Sequence, residues 1–166
     1  MSQIQTGSTE NLEIEMKIAN VDLSSLDQNL SFMIRLAQLE SFKVFFDFFS
    51  KTELLPGEFS SMLVIFNNPK IRQGVLASSL KIKRANMAKI VRGMEVKQMI
   101  TKSVPDDDRR SFELSLTEKG KTYIEKYEND FATYDKEYSD SLFTEEERKL
   151  FLSFLYKASG YQAHIG

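Results

Sequence analysis

A basic segment in the middle of the chain has the residue types that contact polyanions. Residues 81–110 contain nine Lys and Arg against four Asp and Glu, a net charge of +5. Residues 1–69 (4 basic, 9 acidic) and 111–166 (7 basic, 11 acidic) are acidic, with net charges of −5 and −4. Clustered cations attract phosphate groups, and acidic flanks keep the rest of the surface from doing so. The distribution therefore predicts a focused binding surface for a polyanion.

One helix in this segment is predicted to turn a basic face outwards. Four apolar residues recur at helical spacing and form an inward stripe: Met87, Ile90, Val91 and Met94. The opposite face then displays Ala85, Lys89 and Arg92, with Asn86 and Ala88 beside them. Lys or Arg can donate to guanine, Asn can pair with adenine, and Ala can contact a thymine methyl group. The pattern favours a helix that lies in the major groove of DNA; a solvated amphipathic helix is the alternative.

A charged loop follows this helix at Pro105–Arg110, with the sequence PDDDRR. An Arg at the tip of a hairpin can enter a narrow minor groove, and a neighbouring Asp can orient its guanidinium group. Three consecutive Asp could instead bind a divalent cation, but the glycine and glutamate spacing of an EF-hand is missing. A plain solvated turn is the third interpretation. We expect no metal site.

The elements that must position these residues follow from periodicity. The strict alternation of Ser111–Leu116 predicts a half-buried strand, and Met99–Val104 is a plausible partner. Thr117 and Thr144 are expected to cap the helices that follow them. Helices are predicted over about 26–49, 56–66, 72–80, 83–97, 118–140 and 145–158, with a short extra one over 13–21. Two short helices followed by a hairpin with a charged loop is the layout of a winged helix-turn-helix between long terminal helices.

The hairpin sequence resembles the wing signature of the MarR family, D-x-R ending in L-T-x-x-G. Here that signature is Asp108-Arg109-Arg110, continued to Leu116-Thr117-Glu118-Lys119-Gly120. Upstream segments are similar to the family's second, third and recognition helices: Leu55–Phe59, Ile71–Leu80 and Arg84–Glu95. The resemblance covers about residues 28–158 in register. It implies a mainly α fold with a small β-hairpin wing and long N- and C-terminal dimerisation helices.

The resemblance also implies roles for individual residues. Arg110 corresponds to the arginine in the minor groove, and Asp108 to the acid that steadies it. The residues expected to face the major groove are Arg84, Ala85, Asn86 and Lys89. Charge and placement suggest phosphate contacts for Gln73, Lys83, Arg92, Lys97, Lys102 and Arg109. Three positions depart from the family pattern, because Lys81 and Gln98 replace turn glycines and Lys83 replaces a capping Ser; a positive φ at such a turn would strain a side chain.

The terminal helices are rich in aromatic residues. Thirteen Phe and six Tyr exceed what one small core needs, which predicts an additional buried surface between subunits. The expected interface residues are Phe45, Phe46, Phe49, Phe151, Phe154 and Leu155. In the family, effectors lodge between the dimer helices and the DNA-binding lobe. By this resemblance Arg35, Gln38 and Phe42 are candidate ligand-binding residues, since residues 34–39 are similar to relatives that respond to aromatic acids or their CoA thioesters; an intersubunit salt bridge is the alternative for Arg35.

Composition excludes several other classes of function. There is no Cys, and His164 is the only His, so thiolate catalysis and cysteine- or multi-histidine metal sites are excluded. No acid–base pair or nucleophile constellation suggests an enzyme, and we expect no cofactor. The N-terminus lacks the pattern of a signal peptide, and the longest apolar run, Met62–Phe66, is too short to cross a membrane. We therefore expect a cytoplasmic protein that does not engage the membrane.

These observations predict four parts and one function. The parts are a flexible tail (1–10), N-terminal dimerisation helices (11–53), a winged helix-turn-helix lobe (54–117) and C-terminal dimerisation helices (118–166). The expected function is a sequence-specific, double-stranded DNA-binding transcriptional regulator, a repressor, that binds a pseudo-palindromic operator as a homodimer. A small, aromatic effector is expected to tune its DNA affinity. The alternative is a winged-helix protein-interaction module that has lost DNA binding.

Overall fold

The computed structural model of the protein describes residues 21–50, 54–107 and 111–161. The chain divides into two compact units, residues 1–43 and 44–166. The described elements, in chain order, are α1 (Leu30–Phe49), α2 (Pro56–Asn67), β1 (Ile71–Arg72), α3 (Gln73–Ser79), α4 (Arg84–Val96), β2 (Ile100–Ser103), β3 (Glu113–Leu116), α5 (Glu118–Leu142) and α6 (Glu145–Ser159). The predicted tail over 1–10 lies outside the described residues, as does all but the last residue of the helix expected over 13–21.

The predicted fold class is confirmed, and its helices begin and end within a few residues of the expected positions. Pro56 occupies the first turn of α2, where its missing N–H has no intrahelical acceptor to lose. Thr117 caps α5 by accepting a hydrogen bond from the Gly120 N–H at 3.0 Å. Thr144 opens α6 with the expected capping box, in which the Glu147 carboxylate accepts from the Thr144 N–H at 2.9 Å. These local signals were strong because each rests on residues within one turn of the helix.

The sheet differs from the predicted two-stranded hairpin, because it has three antiparallel strands in the order β1-β3-β2. β2 pairs with β3 from Ile100↔Leu116 to Ser103↔Glu113. The additional strand β1 pairs with the other edge of β3 through Ile71↔Leu114. Sequence reasoning missed β1 because two residues are too few to display an alternating pattern.

The core of the winged-helix lobe (residues 54–117) lies between α2, α3, α4 and the sheet. The inward stripe predicted for α4 is confirmed, since Met87, Val91 and Met94 are buried and Ile90 is half-buried. The other fully buried side chains come from every surrounding element: Phe59, Met62, Ile65, Leu76, Leu114 and Ile124. Burial of one face of α4 fixes which residues its other face displays.

An aromatic cluster joins the C-terminal end of α1 to α2 and α5. Phe49 stacks on Phe45 with ring centroids 4.3 Å apart and contacts Phe59 at 4.6 Å. Phe131 of α5 lies 5.2 Å from Phe59. Phe49 is only 3% exposed, so it belongs to the core of its own chain and has little surface left for a partner. This corrects its expected place in a dimer interface; Phe45 is half-buried in the same cluster, whereas Phe46 is 49% exposed.

Helix α6 buries none of its residues within the chain. Its exposed apolar side chains are Leu150, Phe151, Phe154, Leu155 and Tyr156. Along the described part of the first unit, α1 also exposes Leu30, Met33, Ile34, Leu36, Leu39 and Phe42. Across the described ranges, none of the helices combines the length and the apolar character that a membrane crossing requires.

Candidate nucleic-acid interface

The exposed face of α4 displays the residues that were predicted to contact DNA. Arg84, Ala85, Asn86 and Lys89 are all exposed, as are Lys83 before the helix and Arg92 in its third turn. The buried stripe of Met87, Val91 and Met94 lies on the other side. Two cations, an amide and a small side chain therefore share one solvent-facing surface, which suits contacts to base edges and phosphates.

The described residues provide no carboxylate partner for the cations of this face. In the part of the chain that the structure describes, no carboxylate forms an ion pair with Lys83, Arg84, Lys89 or Arg92. The first turn of α4 contains no acidic residue, and the Lys83 side chain does not cap the helix. Unpaired N–H groups and positive side chains thus coincide at one helix end, where the helix dipole is also positive. This arrangement favours a bound anion.

Lys97, expected to contact phosphate, lies in a different environment. Its Nζ atom donates to Glu58 Oε2 at 2.5 Å, and its side chain is only 23% exposed. The ammonium group points towards a buried carboxylate, which corrects the expected phosphate contact. Sequence reasoning missed this pair, because the two residues are 39 positions apart.

Lys102 is exposed on β2 but is also paired. Its Nζ atom lies 2.8 Å from Glu95 Oε2 and 5.0 Å above the centre of the Phe112 ring. Its charge is therefore shared with the protein before any phosphate approaches. Gln73, the first residue of α3, is half-buried and donates its backbone N–H to the Phe112 carbonyl at 2.9 Å.

The two turns that lack the family's glycines keep a left-handed backbone. Lys81 has φ = 52° and Gln98 has φ = 58°. Hydrogen bonds close both turns, from the Ile82 N–H to the Ala77 carbonyl and from the Met99 N–H to the Met94 carbonyl, each at 2.9 Å. The departures therefore add local strain without removing the turns. The Lys81 ammonium donates to the Ser159 carbonyl at the end of α6 at 2.5 Å.

The wing-tip residues Asp108, Arg109 and Arg110 lie outside the described residues. Asp107, the residue directly before them, accepts a hydrogen bond from the Arg72 guanidinium group of β1. This hydrogen bond holds the pKa of Asp107 below its ordinary value, because it stabilises the charged form. Sequence reasoning missed this pair, since it depends on the β1–β3 pairing that the pattern did not predict.

The signature L-T-x-x-G has a structural explanation at the base of the wing. The Thr117 hydroxyl donates to the Gln98 carbonyl at 2.7 Å while it caps α5. A Cβ atom at Gly120 would lie 2.1 Å from the Met99 carbonyl oxygen, so no larger residue fits without a backbone shift. The start of α5 therefore packs directly on the turn between α4 and β2.

The candidate ligand-binding residues lie on α1 within the first unit. Arg35, Gln38 and Phe42 are exposed, and their spacing of three and four residues places them along one side of the helix. The expected interface residues Phe46, Phe151, Phe154 and Leu155 are exposed as well. Both assignments stay predictions.

Known proteins resemble this chain in sequence and in fold. The profile of the MarR family matches residues 54–112. The putative transcriptional regulatory protein for the hcr operon of Thauera aromatica is 30% identical over 145 residues, which cover 84% of this chain and 87% of that protein. The identity thus extends beyond the DNA-binding lobe into the terminal helices.

Solved structures agree with this relationship. The transcriptional repressor CouR bound to a 23-mer DNA duplex superposes with a TM-score of 0.77 and 26% identity, covering 84% of this chain and 99% of CouR. CouR bound to p-coumaroyl-CoA superposes with the same TM-score and 24% identity, covering 84% and 98%. The chain belongs to the MarR family and is a transcriptional regulator with the winged helix of that family.

Proposed function

We propose that this regulator binds a pseudo-palindromic operator as a homodimer, represses transcription in the cytoplasm, and is released by a small aromatic effector. The main support for DNA binding is that some of its basic side chains are paired with carboxylates and others are not. Lys83 before α4 and the three basic residues on its exposed face lack carboxylate partners among the described residues, whereas the neighbouring Lys97 and Lys102 are paired. Uncompensated charge on one face lowers stability slightly, and a polyanion removes that cost.

Each residue on this face has a proposed contact. Arg84, Asn86 and Lys89 read base edges in the major groove, and Ala85 allows close approach. Lys83 and Arg92 contact phosphates on either side. Gln73, at the first position of α3, and Lys102 remain proposed phosphate contacts, with Lys102 the weaker because Glu95 competes for it.

The wing supplies the minor-groove contact in this proposal. Arg110 enters the groove, Asp108 orients it, and Arg109 contacts phosphate, as the family signature implies. The Arg72–Asp107 hydrogen bond supports this proposal, because it attaches the first part of the loop to β1.

The homodimer is supported by the apolar surface that one chain leaves exposed. Phe151, Phe154 and Leu155 on α6 and Phe46 on α1 would be buried between two copies related by a two-fold axis. Such a dimer presents two α4 helices to successive major grooves. Its half-sites should lie about 10 base pairs apart, which is one turn of the DNA helix.

The effector is proposed to be an aromatic acid or its CoA thioester. CouR, which shares the fold, has been solved with p-coumaroyl-CoA. On α1, Arg35 offers a cation for a carboxylate or phosphate, Gln38 an amide and Phe42 a ring for stacking. A thermal-shift screen of phenolic acids and their thioesters tests this. We expect a stabilising compound that also weakens DNA binding, with both effects reduced in Arg35→Ala.

DNA binding is tested by selecting duplexes from a randomised pool and measuring affinity by fluorescence anisotropy at two or more salt concentrations. We expect a two-fold symmetric sequence and an affinity that falls steeply with salt. Arg110→Ala and Lys89→Ala should weaken binding at least tenfold, about 1.4 kcal/mol or more. Lys126→Ala, which removes an exposed cation from α5, is the matched control and should change little.

Two outcomes would contradict the proposal. If no duplex is bound even in dilute buffer, the winged helix is a protein-interaction module instead. If Arg110→Ala binds the selected operator as tightly as the unaltered protein, the wing assignment is wrong.

A further inference from the structure

Glu58 is a buried carboxylate that the proposed DNA interface does not use. The residue is 3% exposed and lies in the first turn of α2. Its Oε2 atom accepts hydrogen bonds from the Leu55 N–H at 2.9 Å and from Lys97 Nζ at 2.5 Å. A carboxylate removed from water is tolerated only when such partners compensate its charge. Glu58 therefore joins the start of α2 to the residue that ends α4.

Two glycines allow the helices to approach this closely. A Cβ atom at Gly93 of α4 would lie 2.4 Å from Glu58 Oε1. A Cβ atom at Gly57 of α2 would lie 3.0 Å from the Cδ1 atom of Ile90. Both helices thus have a glycine at the contact, and the carboxylate packs directly on the backbone of the recognition helix.

Further side-chain bonds hold the C-terminal end of α4, whereas its N-terminal end is held by the burial of Met87 and by the Ile82–Ala77 hydrogen bond of the preceding turn. The Lys119 ammonium donates to the Lys97 carbonyl at 2.8 Å, and the Thr117 hydroxyl donates to the Gln98 carbonyl at 2.7 Å. At the other end, Lys83 provides no side-chain cap. The bonds near Lys97 therefore add to the core packing in setting the direction of α4, and most of the proposed DNA-facing residues lie towards its other end.

We propose that Glu58 and Lys97 form a positioning pair that sets the direction of α4 and thereby the ability of the regulator to distinguish its operator from other DNA. Neither residue contacts DNA in this proposal, which rests on the proposed DNA-binding function. Base readout requires side chains to meet base edges with hydrogen-bond geometry, whereas phosphate attraction tolerates small displacements. A change in the direction of α4 should consequently reduce specific binding more than non-specific binding.

The experiment measures affinity for the selected operator and for a shuffled duplex of the same composition. The variants are Glu58→Gln, Lys97→Met and the double variant. Glu58→Gln removes the negative charge beside Lys97, and Lys97→Met removes the positive charge beside the buried Glu58 carboxylate. We expect each single variant to lose about tenfold in operator affinity with little change for the shuffled duplex. The double variant should lose no more operator affinity than the single variant with the smaller loss, because both buried charges are then absent.

The salt dependence separates positioning from a direct contact. A lysine that contacts phosphate lowers the slope of log K against log salt by about 0.9 when it is removed. We expect no change in this slope for Lys97→Met. Lys121→Met is the matched control, since it removes a lysine from a surface ion pair with Glu118 on α5 and has no proposed DNA contact. Its ratio of operator to shuffled affinity should equal that of the unaltered protein.

Gly93→Ala provides a second route to the same test, should a buried-charge variant fold poorly. The added methyl group displaces the Glu58 carboxylate while both charges remain. We expect the same loss of discrimination, with unfolding temperature and circular dichroism recorded for every variant. The inference is overturned if folded variants keep their operator affinity, or if Lys97→Met weakens both duplexes equally and lowers the salt slope. If the unaltered protein binds neither duplex, the proposed function itself fails and this inference fails with it.

Discussion

The DNA-binding lobe and helix α6 use the same kinds of apolar residue with opposite results. In the lobe, Met62, Leu76 and Met87 are fully buried within one chain. In α6 no residue is buried, and Phe154 remains 58% exposed. Three helices and a sheet enclose the apolar residues of the lobe, whereas α6 leaves Leu150, Phe154 and Leu155 exposed within the described part of the chain. The comparison teaches that the winged helix forms its core within one chain, whereas α6 leaves an apolar face exposed, which supports the proposed dimer.

The largest expected effect comes from placing a charge on the incomplete surface. Phe154→Asp should prevent dimerisation, because one buried Phe contributes about 1.5–3 kcal/mol and a symmetric dimer loses two, which corresponds to about two to four powers of ten in the dimer dissociation constant. Light scattering after size exclusion should show a shift from about twice 19.1 kDa towards the monomer mass.

Ser153→Asp is the control for this substitution. It introduces the same charge at the exposed neighbouring residue, which is about 100° around the helix, and should preserve the dimer. Equal masses for the unaltered protein and Phe154→Asp would show that the apolar face of α6 does not mediate assembly.

A core substitution in the lobe should lower the free energy of unfolding without changing the mass of the folded protein in solution. Leu76→Ala creates a cavity in an enclosed site and should lower the free energy of unfolding by about 2–5 kcal/mol. Chemical denaturation measures this loss, and the mass of the folded protein should stay unchanged. Val75→Ala, at the exposed neighbour, should cost far less. A Leu76→Ala protein that dissociates while keeping its stability would reverse the comparison.

Gly120→Ala tests how tightly the lobe is joined to α5. The new methyl group would lie 2.1 Å from the Met99 carbonyl oxygen, so the backbone must move. We expect a loss of about 1–3 kcal/mol, as for other overpacked sites. Gly74→Ala is suited as a control, since no atom lies within 4 Å of the added group. Similar unfolding curves for both variants would mean that the junction is loosely packed.

Gln98→Gly should stabilise the lobe slightly. A left-handed conformation costs a residue with a Cβ atom about 1–2 kcal/mol, and the flexibility of glycine in the unfolded chain returns about 0.5–1 kcal/mol of that. The net gain should lie between about 0 and 1.5 kcal/mol. Gln98→Ala keeps the Cβ atom and should therefore leave the thermal unfolding temperature unchanged. A destabilised glycine variant would indicate that the Gln98 side chain has a role of its own.

The smallest expected effect concerns the ion pair at the wing. Arg72 depresses the pKa of Asp107, so their interaction is present at neutral pH and is lost as the pH falls through the lowered pKa. A carboxyl-carbon NMR titration should find Asp107 titrating below about 3.9, the value of an unperturbed Asp. Arg72→Gln should return it towards that value, whereas the overall fold should persist. An identical titration in both proteins would exclude the pair.

Local signals made most of the architecture predictable. The stripe from Met87 to Met94, the caps at Thr117 and Thr144, and the alternation around Leu114 each depend on residues within one or two turns or one strand. The exposure of Arg84, Asn86 and Lys89 followed from that stripe, because a helix with one face buried must display the other. The predicted positions of the DNA-facing side chains on α4 were therefore available from the sequence.

Contacts between residues that are far apart in the sequence could not be predicted in this way. By itself, the sequence determined where helices form, which face of α4 is apolar and where positive charge concentrates, because these properties repeat over short distances. Only the tertiary structure decided that Lys97 faces Glu58 rather than solvent, that Phe49 lies in the core of its own chain, and that Arg72 reaches Asp107. The physical reason is that a charge or a ring has no partner until the chain folds, and folding chooses partners that lie tens of residues apart.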